Sequence, residues 1–398
     1  MPPTSVRPHT ACRVCQTPLG PSYLHLGDQP LANALREPDD DTPELTAPLT
    51  VHLCKVCGLS QLSVVVDPQV LYGDYRFTSG VSQAWHIHTE ALAESLGRLP
   101  SGRFVVDIAA NDGTQLFYFH ERGWKVLGVD PCPVRAAVPM VKAFFTLAVA
   151  KTIVRDHGRA DLVIAQNVLA HVDDVVGFLK GIEHLMADGA TCAIEVPHVR
   201  DLVLTGAFDT IYHEHLSYWT TSAIIRAAHQ AGLALDRSET LKVHGGSRRY
   251  WLTRKTGGHA RPVLELPIDE RPYLKLGTDV ERTMADTMRV LKNIQTDGKR
   301  LWAMGASAKG AVMLNALKAH GNTVWPEAIV DDTPAKQGRV MPGVGVPIYS
   351  PVWMQQPNTE HVVLWILSWN WKDALMARAK ALGFKGQFLV TSPTVEVV

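Results

Sequence analysis

The chain has 398 residues, with 39 Lys plus Arg against 39 Asp plus Glu and a formal net charge of zero at pH 7. That length exceeds one ordinary domain and predicts two or three, while the charge balance excludes a general polyanion-binding surface and argues against a nucleic-acid partner. No apolar run reaches the roughly 18 residues that span a bilayer, and MPPTSVRPHT carries neither a basic nor an apolar leader, so a soluble cytoplasmic protein without a membrane partner is expected.

Four of the six cysteines form two pairs, Cys12/Cys15 and Cys54/Cys57. A Cys-x-x-Cys pair puts two thiolates on one tight turn, and two such knuckles close the tetrahedral shell that structural Zn2+ prefers. A redox dithiol or two disulfides would use the same residues, yet neither pair lies in a strand-helix-strand context and nothing indicates secretion. With all four positions filled by protein, the expected metal is structural and replaces a core that so short a segment cannot build. From Gln29 to Pro48 the chain is rich in Pro, Asp and Thr and reads as irregular coil folded over the metal site; LSQLSVVVDP after Gly58 reads as a strand leaving it. This unit is expected over 1–73.

In LYGDYRFTSGVSQAW, the aromatics Tyr72, Tyr75 and Phe77 are spaced across polar residues. The pattern fits the wall of a binding cleft or an aromatic linker packed between domains. A helix from about Ser82 to Gly97 follows.

The next stretch, FVVDIAANDGTQLFYFHERGWKVLGVDP, reads as an apolar strand (Phe104 to Ile108), a small-residue turn ending at Gly113, a helix, and a second strand that stops at Asp130. This is the sequence form of a nucleoside-binding α/β unit, whose terminal acid accepts hydrogen bonds from a ribose diol. A dinucleotide loop carries several glycines for a pyrophosphate. Here the loop is Ala109-Ala110-Asn111-Asp112-Gly113, with one glycine and a carboxylate that would repel phosphate. It suits S-adenosylmethionine, which has an ammonium, a sulfonium and no phosphate. Asn111, Asp112 and Gly113 then belong to its loop, Asp130 to its ribose, and Asn167, at the end of the strand opened by Asp161 in DLVIAQNVLAHV, lies near its amino-acid end or sulfonium. Acids that merely cap helices in a fold without a ligand would look similar. His171 follows that strand and reads as a second base or as a structural histidine.

A helix over Val175 to Met186 stopped by Gly189, the strand CAIEVP, a helix near Ser222 to Ala231 stopped by Gly232, and strands at Leu233 to Asp236 and Arg249 to Thr253 complete an α/β domain, expected over 74–272. Within it, IYHEHLSYWT concentrates Tyr212, His213, Glu214 and His215. His213 and His215, two apart, would face one side of a strand and could bind metal. The segment could equally be an aromatic wall with core histidines, or an acid/base site in which Glu214 holds a histidine tautomer and a phenol stabilises an enolate oxygen.

A third unit, expected over 273–398, holds a long helix from about Val280 to Asp297, the strand Arg300 to Met304, the loop GASAKG, a helix over Ala311 to His320, the strand AIVDD, VVLWILS, a helix over Lys372 to Leu382 and the strand QFLV. It repeats strand, glycine loop, helix, strand, acid. Small loop residues also serve close strand-to-helix packing without any ligand.

Taken together, Cys12-x-x-Cys15 with Cys54-x-x-Cys57, NDG at Asn111 to Gly113, YHEHLSYW from Tyr212, HGGSRR from His244, GASAKG from Gly305, VDDTPAKQGRVMPG from Val330 and SWNW from Ser368 resemble the nucleotide-sugar C-methyltransferases of deoxysugar biosynthesis, including that of the tetronitrose pathway, over essentially the whole chain. The resemblance implies an α/β protein of three parts: a zinc-binding N-terminal domain, a class I methyltransferase (Rossmann-like) central domain, and a second Rossmann-like C-terminal domain that helps hold the sugar nucleotide. It implies that His215 removes a proton beside the ketone of a nucleotide-linked keto-deoxysugar, such as a dTDP sugar, assisted by Glu214 and Tyr212. A tyrosine of the linker, Tyr72 or Tyr75, would join the site, and Ala306, Lys309 and Lys336 would lie near the nucleotide diphosphate. Such a chain could act as a monomer. A non-sugar acceptor and a non-catalytic zinc-stabilised nucleotide-binding protein are the competing readings.

Overall fold

The computed structural model describes residues 5–72, 80, 83–96, 103–132, 136–241, 246–255 and 268–398. Tyr75, Phe77 and His244 fall outside them.

Near the N-terminus run β1 (Val6–Pro8), β2 (Ser22–Pro30), β3 (Thr46–Leu53), β4 (Ser60–Leu62) and β5 (Val64–Val66), then α1 (Pro68–Tyr72) and α2 (Gln83–Leu96). The next elements are β6 (Phe104–Ile108), α3 (Thr114–His120), β7 (Lys125–Asp130), β8 (Met140–Lys142), α4 (Leu147–His157), β9 (Ala160–Gln166), α5 (Val175–Leu185), β10 (Met186–Pro197), α6 (Val199–Thr205), β11 (Ser217–Tyr218), α7 (Thr221–Gln230), β12 (Leu233–Leu241) and β13 (Ser247–Arg254). The last part holds α8 (Arg271–Thr296), β14 (Arg300–Met304), α9 (Ala308–Ala319), β15 (Ile329–Val330), β16 (Ile348–Tyr349), β17 (Val362–Ile366), α10 (Lys372–Ala381), β18 (Gln387–Val390) and β19 (Glu396–Val397).

β6 and β17 are buried at every position, as continuous apolar strands covered on both faces must be. They centre two sheets, ordered β12-β13-β10-β9-β6-β7-β8 and β16-β15-β14-β17-β18-β19. In the first, β10, β9, β6, β7 and β8 are parallel, and β13 and β12 close one edge antiparallel. In both sheets the chain steps outward on one side of a starting strand, β6 or β14, and then returns to its other side. The crevices therefore open between β6 and β9 and between β14 and β17, at the carboxyl ends of the strands.

Several local expectations shift. Ser63 divides the run after Gly58 into β4 and β5. α5 ends at Leu185 with Met186 already extended, so Gly189 (φ 77°) lies inside the irregular start of β10 rather than ending a helix. Pro272 sits in the first turn of α8, where its missing N–H costs nothing, and the helix starts earlier than its apolar spacing indicated. Of the stretch from Gln29 to Pro48, both ends are strand, and between them Arg36 bridges Val340 of the last part of the chain.

The third sheet, β11-β4-β3-β2, mixes distant parts of the chain, because Ser217 and Tyr218 pair with Gln61 and Ser60. Its β2 lies against the last part. Tyr23 meets Tyr273 edge-on at 5.3 Å, and a Cβ at Gly277 would come 2.4 Å from the Tyr23 carbonyl oxygen. Leu24, Leu26, Leu49 and Val51 share one core with Leu276, Val280, Met284 and Leu314. The cysteine knuckles join a different core, with Phe178, Ile182 and Trp219 around the β9–β10 face. The N-terminal module is thus wedged between the two α/β units.

Candidate active site

The two knuckles are built alike. Cys12 N–H donates to Thr17 O and Cys54 N–H to Leu59 O (2.7 and 2.8 Å), and each turn ends on a left-handed residue, Gln16 or Gly58. The Sγ atoms stand 3.5 Å apart for Cys12 and Cys57 and 3.4 Å for Cys15 and Cys54, and all four lie within 4.8 Å of one another. A Zn–S bond of about 2.3 Å in a tetrahedron requires about 3.8 Å between sulfurs, so the shell fits Zn2+ and the four thiols are not disulfide-bonded. It is the one such cluster among the described residues.

At the first α/β crevice, Ala109, Asn111 and Asn167 all have positive φ (61°, 52° and 53°). Non-glycine residues in that region carry roughly 1–3 kcal/mol of strain each and gather at ligand sites. Asp130 ends β7 and accepts the Asn111 N–H (2.9 Å) and the Cys132 N–H (2.8 Å), with burial raising its pKa. Asp107, one strand over and fully enclosed, is pushed well up by burial and by the nearby charges of Asp130 and Glu195. Asp112 takes the Thr114 N–H and hydroxyl on Oδ1 (3.1 and 2.6 Å) and the Gly80 N–H on Oδ2 (2.6 Å). It fixes the start of α3 and ties the segment after α1 to this loop. A side chain at Gly113 (φ 80°) would strike Val138.

Residues Ile211 to Leu216 form a turn between a 3-10 turn (Phe208–Thr210) and β11. The two histidines therefore do not share a strand face, which corrects that expectation. His213 is buried with Nε2 3.1 Å from Ala47 O, and burial lowers its pKa. The His215 Nδ1–H donates to Thr210 O (2.9 Å), so Nε2 carries the lone pair and receives the Tyr212 hydroxyl at 3.0 Å. The tautomer is held by Thr210, not by Glu214 as the sequence indicated. Tyr212 and His215 also lie ring on ring, with centroids 4.1 Å apart.

Three more sequence-selected residues converge here. The Tyr72 hydroxyl is 2.9 Å from His171 Nδ1 and 3.4 Å from Glu214 O, and the His171 ring meets that of His215 at 4.9 Å. Burial pushes His171 down to about 4, against the opposing effect of the Glu214 and Asn167 carbonyls, so it is neutral near pH 7. Glu214 is buried; burial raises its pKa to about 7, opposed by a hydrogen bond from Asn33 Nδ2 to Oε1 (2.6 Å). Cys132 links the two groups, since its Sγ lies 3.1 Å from Tyr72 O.

At the second crevice, Ala306 N–H donates to Asp331 Oδ2 (2.8 Å), and Lys336 Nζ reaches Ala306 O (2.8 Å) and Asp331 Oδ2 (3.4 Å). Lys309, on the first turn of α9, points toward the central unit. Its Nζ lies 3.2 Å from Asp209 Oδ1 and 5.3 Å from the Trp369 ring centroid. Asp209 is buried and also accepts Trp369 Nε1–H at 2.7 Å; burial raises its pKa, with Lys309 and Trp369 opposing.

Residues 12–72 match a zinc binding domain family, 83–238 a methyltransferase domain family and 242–393 the C-methyltransferase C-terminal domain family. Over 99% of its length and 98% of the relative's, the chain is 31% identical to C-methyltransferase NovU of Streptomyces niveus. The chain belongs to the C-methyltransferase family.

This C-methyltransferase depends on S-adenosylmethionine and acts on a small-molecule acceptor. Similar solved structures include a Burkholderia thailandensis 1,6-didemethyltoxoflavin-N1-methyltransferase with bound S-adenosylhomocysteine, 17% identical over 44% of this chain and 80% of that one (TM-score 0.34). Another is magnesium protoporphyrin IX methyltransferase of Synechocystis PCC 6803, 14% identical over 47% of this chain and 92% of that one (TM-score 0.34). Among the described residues, no helix is long and apolar enough to cross a membrane.

Sequence reasoning missed two site neighbours of this C-methyltransferase, Asn33 and Asp209. Neither lies in a motif. Asn33 sits in a stretch without periodicity, and Asp209 looked like an ordinary turn acid before YHEH.

Proposed function

We propose that this enzyme transfers a methyl group to the carbon beside the ketone of a nucleotide-linked keto-deoxysugar, with His215 as the base. The observation that carries the reading is the Tyr212–His215 pair, in which Thr210 O fixes the Nδ1–H tautomer and leaves Nε2 as the proton acceptor. A carbon acceptor is not nucleophilic until it loses a proton. His215 Nε2 takes that proton, and the electron pair left on carbon delocalises onto the ketone oxygen, where a phenol of Tyr212 or Tyr72 can donate to the enolate. His171, neutral and hydrogen-bonded to Tyr72, orients that phenol. Its depressed pKa makes it the weaker base of the two roles open to it. Glu214, poised near neutrality, holds a polar group of the acceptor in its ionised form.

Asn111, Asp112, Gly113, Asp130 and Asn167 would hold the cofactor at the β6–β9 crevice, which supplies an electrophilic methyl when loaded. Asp130 is suited to the ribose diol, because a buried carboxylate gains from hydroxyl donors. Ala306, Lys309 and Lys336 would face the nucleotide diphosphate at the second crevice, and Tyr72 the sugar. Tyr75 is proposed as a second linker phenol on the resemblance alone. The units proposed are 1–73 for zinc, 74–272 for methyl transfer and 273–398 for the acceptor nucleotide, in a chain able to work as a monomer.

Incubation with methyl-labelled S-adenosylmethionine and a panel of keto-deoxysugar nucleotides, matching free keto-deoxysugars and non-sugar ketones tests this. Labelled product with a carbon-bound methyl is expected from the nucleotide-linked members. Transfer confined to non-sugar ketones, or to a heteroatom, would sink the sugar reading.

A further inference from the structure

We infer that Asn33, which lies between the two zinc knuckles, is a positioning residue of the active site whose side-chain amide orients the carboxylate of Glu214 and favours its ionised form. The inference rests on the role proposed above for Glu214.

The contact joins residues 181 positions apart: Asn33 Nδ2 donates to Glu214 Oε1 at 2.6 Å, the short separation of a charge-assisted bond. Both ends are held. Leu31 and Ala32, buried, anchor the chain just before Asn33, and a tight turn follows in which Ala34 N–H donates to Leu31 O (3.1 Å) and Leu35 N–H to Asn33 O (3.0 Å). Farther along the excursion, Arg36 and Val340 exchange backbone hydrogen bonds (3.2 and 2.9 Å), and Glu44 accepts the Gly343 N–H on both oxygens (2.8 and 3.0 Å). Residues 31–45 therefore connect the zinc module, the YHEH turn and the C-terminal lobe.

No other side chain among the described residues donates to the Glu214 carboxylate, and it is 5% exposed. Its chain neighbours are Tyr212, His213 and His215 of the same turn, and the Tyr72 hydroxyl of α1 donates to the Glu214 backbone oxygen (3.4 Å) and also lies 2.9 Å from His171 Nδ1. Burial lowers the pKa of both His171 and His213, which favours their neutral forms, and the buried Asp209 is compensated by Lys309. A buried carboxylate with one donor is a sensitive place: burial favours the protonated acid, and the amide favours the anion. With Asn33 engaging Oε1, Oε2 is the oxygen left for an acceptor hydroxyl or ammonium.

The sign follows directly. Loss of the donor raises the Glu214 pKa further, so a reaction that needs the anion has its acid limb moved to higher pH. Asn33→Leu should move the acid limb of kcat/KM up by about one pH unit, a roughly tenfold loss below the limb that is recovered above it. Asn33→Asp, nearly isosteric, should move it farther, because two carboxyls then share one site. Zinc content and S-adenosylhomocysteine affinity should stay at wild-type values in both. The Glu214 carboxyl is followed independently by infrared titration of the full-length enzyme, with Glu214→Gln assigning the band. A band midpoint that rises in the order wild type, Leu, Asp supports the inference; a midpoint unmoved in both variants, or zinc loss with a pH-independent fall in rate, overturns it. A midpoint that moves while the kinetic limb stays fixed upholds Asn33 as the group that sets Glu214 and removes Glu214 from the transfer reaction.

Discussion

The two α/β units solve the same local problem in the same way, up to one residue. After β6, Asn111 N–H bonds Asp130 at the end of β7; after β14, Ala306 N–H bonds Asp331 at the end of β15. Each acid also accepts the N–H two positions on, from Cys132 or Thr333 (2.8 and 2.9 Å). The difference is a cation. Lys336 sits on Asp331, whereas among the described residues no Lys, Arg or His pairs with Asp130, whose pKa is raised by burial. An acid already neutralised has little to gain from a ribose diol, while one held only by amides gains two hydroxyl donors. One motif thus leaves an acid held by amides in the first unit and an acid paired with a lysine in the second. A second lysine of this unit, Lys309, is engaged by Asp209 of the first unit.

The largest effect expected concerns the turn that joins the two crevices. His215→Asn removes the proposed base and should lower kcat by about 10^2–10^4, with S-adenosylhomocysteine affinity unchanged by calorimetry; wild-type turnover in this variant would place the base elsewhere.

Glu214→Gln probes the buried acid of the same turn. The folded pKa near 7 lies above the usual 4.5, so wild-type stability falls as pH rises from 4.5 through 7, and the Gln side chain does not ionise. The variant should match wild type below pH 4.5 and exceed it by on the order of 3 kcal/mol above pH 7 in denaturant unfolding. A stability gap independent of pH would mean that Glu214 is not the titrating group.

Asp130→Asn and Asp331→Asn test the comparison directly. The first should weaken cofactor binding about tenfold, the loss of one hydrogen-bonded charge, without changing acceptor KM. The second should leave cofactor affinity intact and lower the melting temperature, because Lys336 loses its partner. Equal effects of both on cofactor affinity would erase the distinction between the crevices.

Smallest is Lys309→Met. Acceptor KM should rise severalfold with kcat nearly kept, and the melting temperature should fall because a buried Asp209 is left with Trp369 alone. An unchanged KM for the nucleotide-linked acceptor would make Lys309 a purely structural partner of Asp209.

Short-range patterns were legible in the sequence. The cysteine spacing specified the knuckles, since two thiolates on one turn have few other geometries. Apolar strand, small loop, helix and acid located both crevices to within a residue or two: β6, β14 and β18 begin and end where their apolar runs do. Where the sequence misled, a neighbour outside the segment decided. YHEH looked like alternating strand, but β11 must reach the sheet of the zinc module, so the chain turns before it and sends His213 to Ala47 and His215 to Thr210. Gly189 looked like a helix stop, although the helix had already given way to β10.

The sequence by itself determined most of the elements, the four-cysteine shell and the two strand-loop-helix-acid crevices, because each depends on residues a few positions apart or on backbone chemistry. Only the tertiary structure decided the pairings: which nitrogen of His215 meets Thr210 and which meets Tyr212, that Asn33 reaches Glu214 across 181 positions, and that Lys309 belongs to Asp209 across 100. Those contacts leave no periodic trace, since a single polar side chain meets its partner through the packing of three modules rather than through any local pattern.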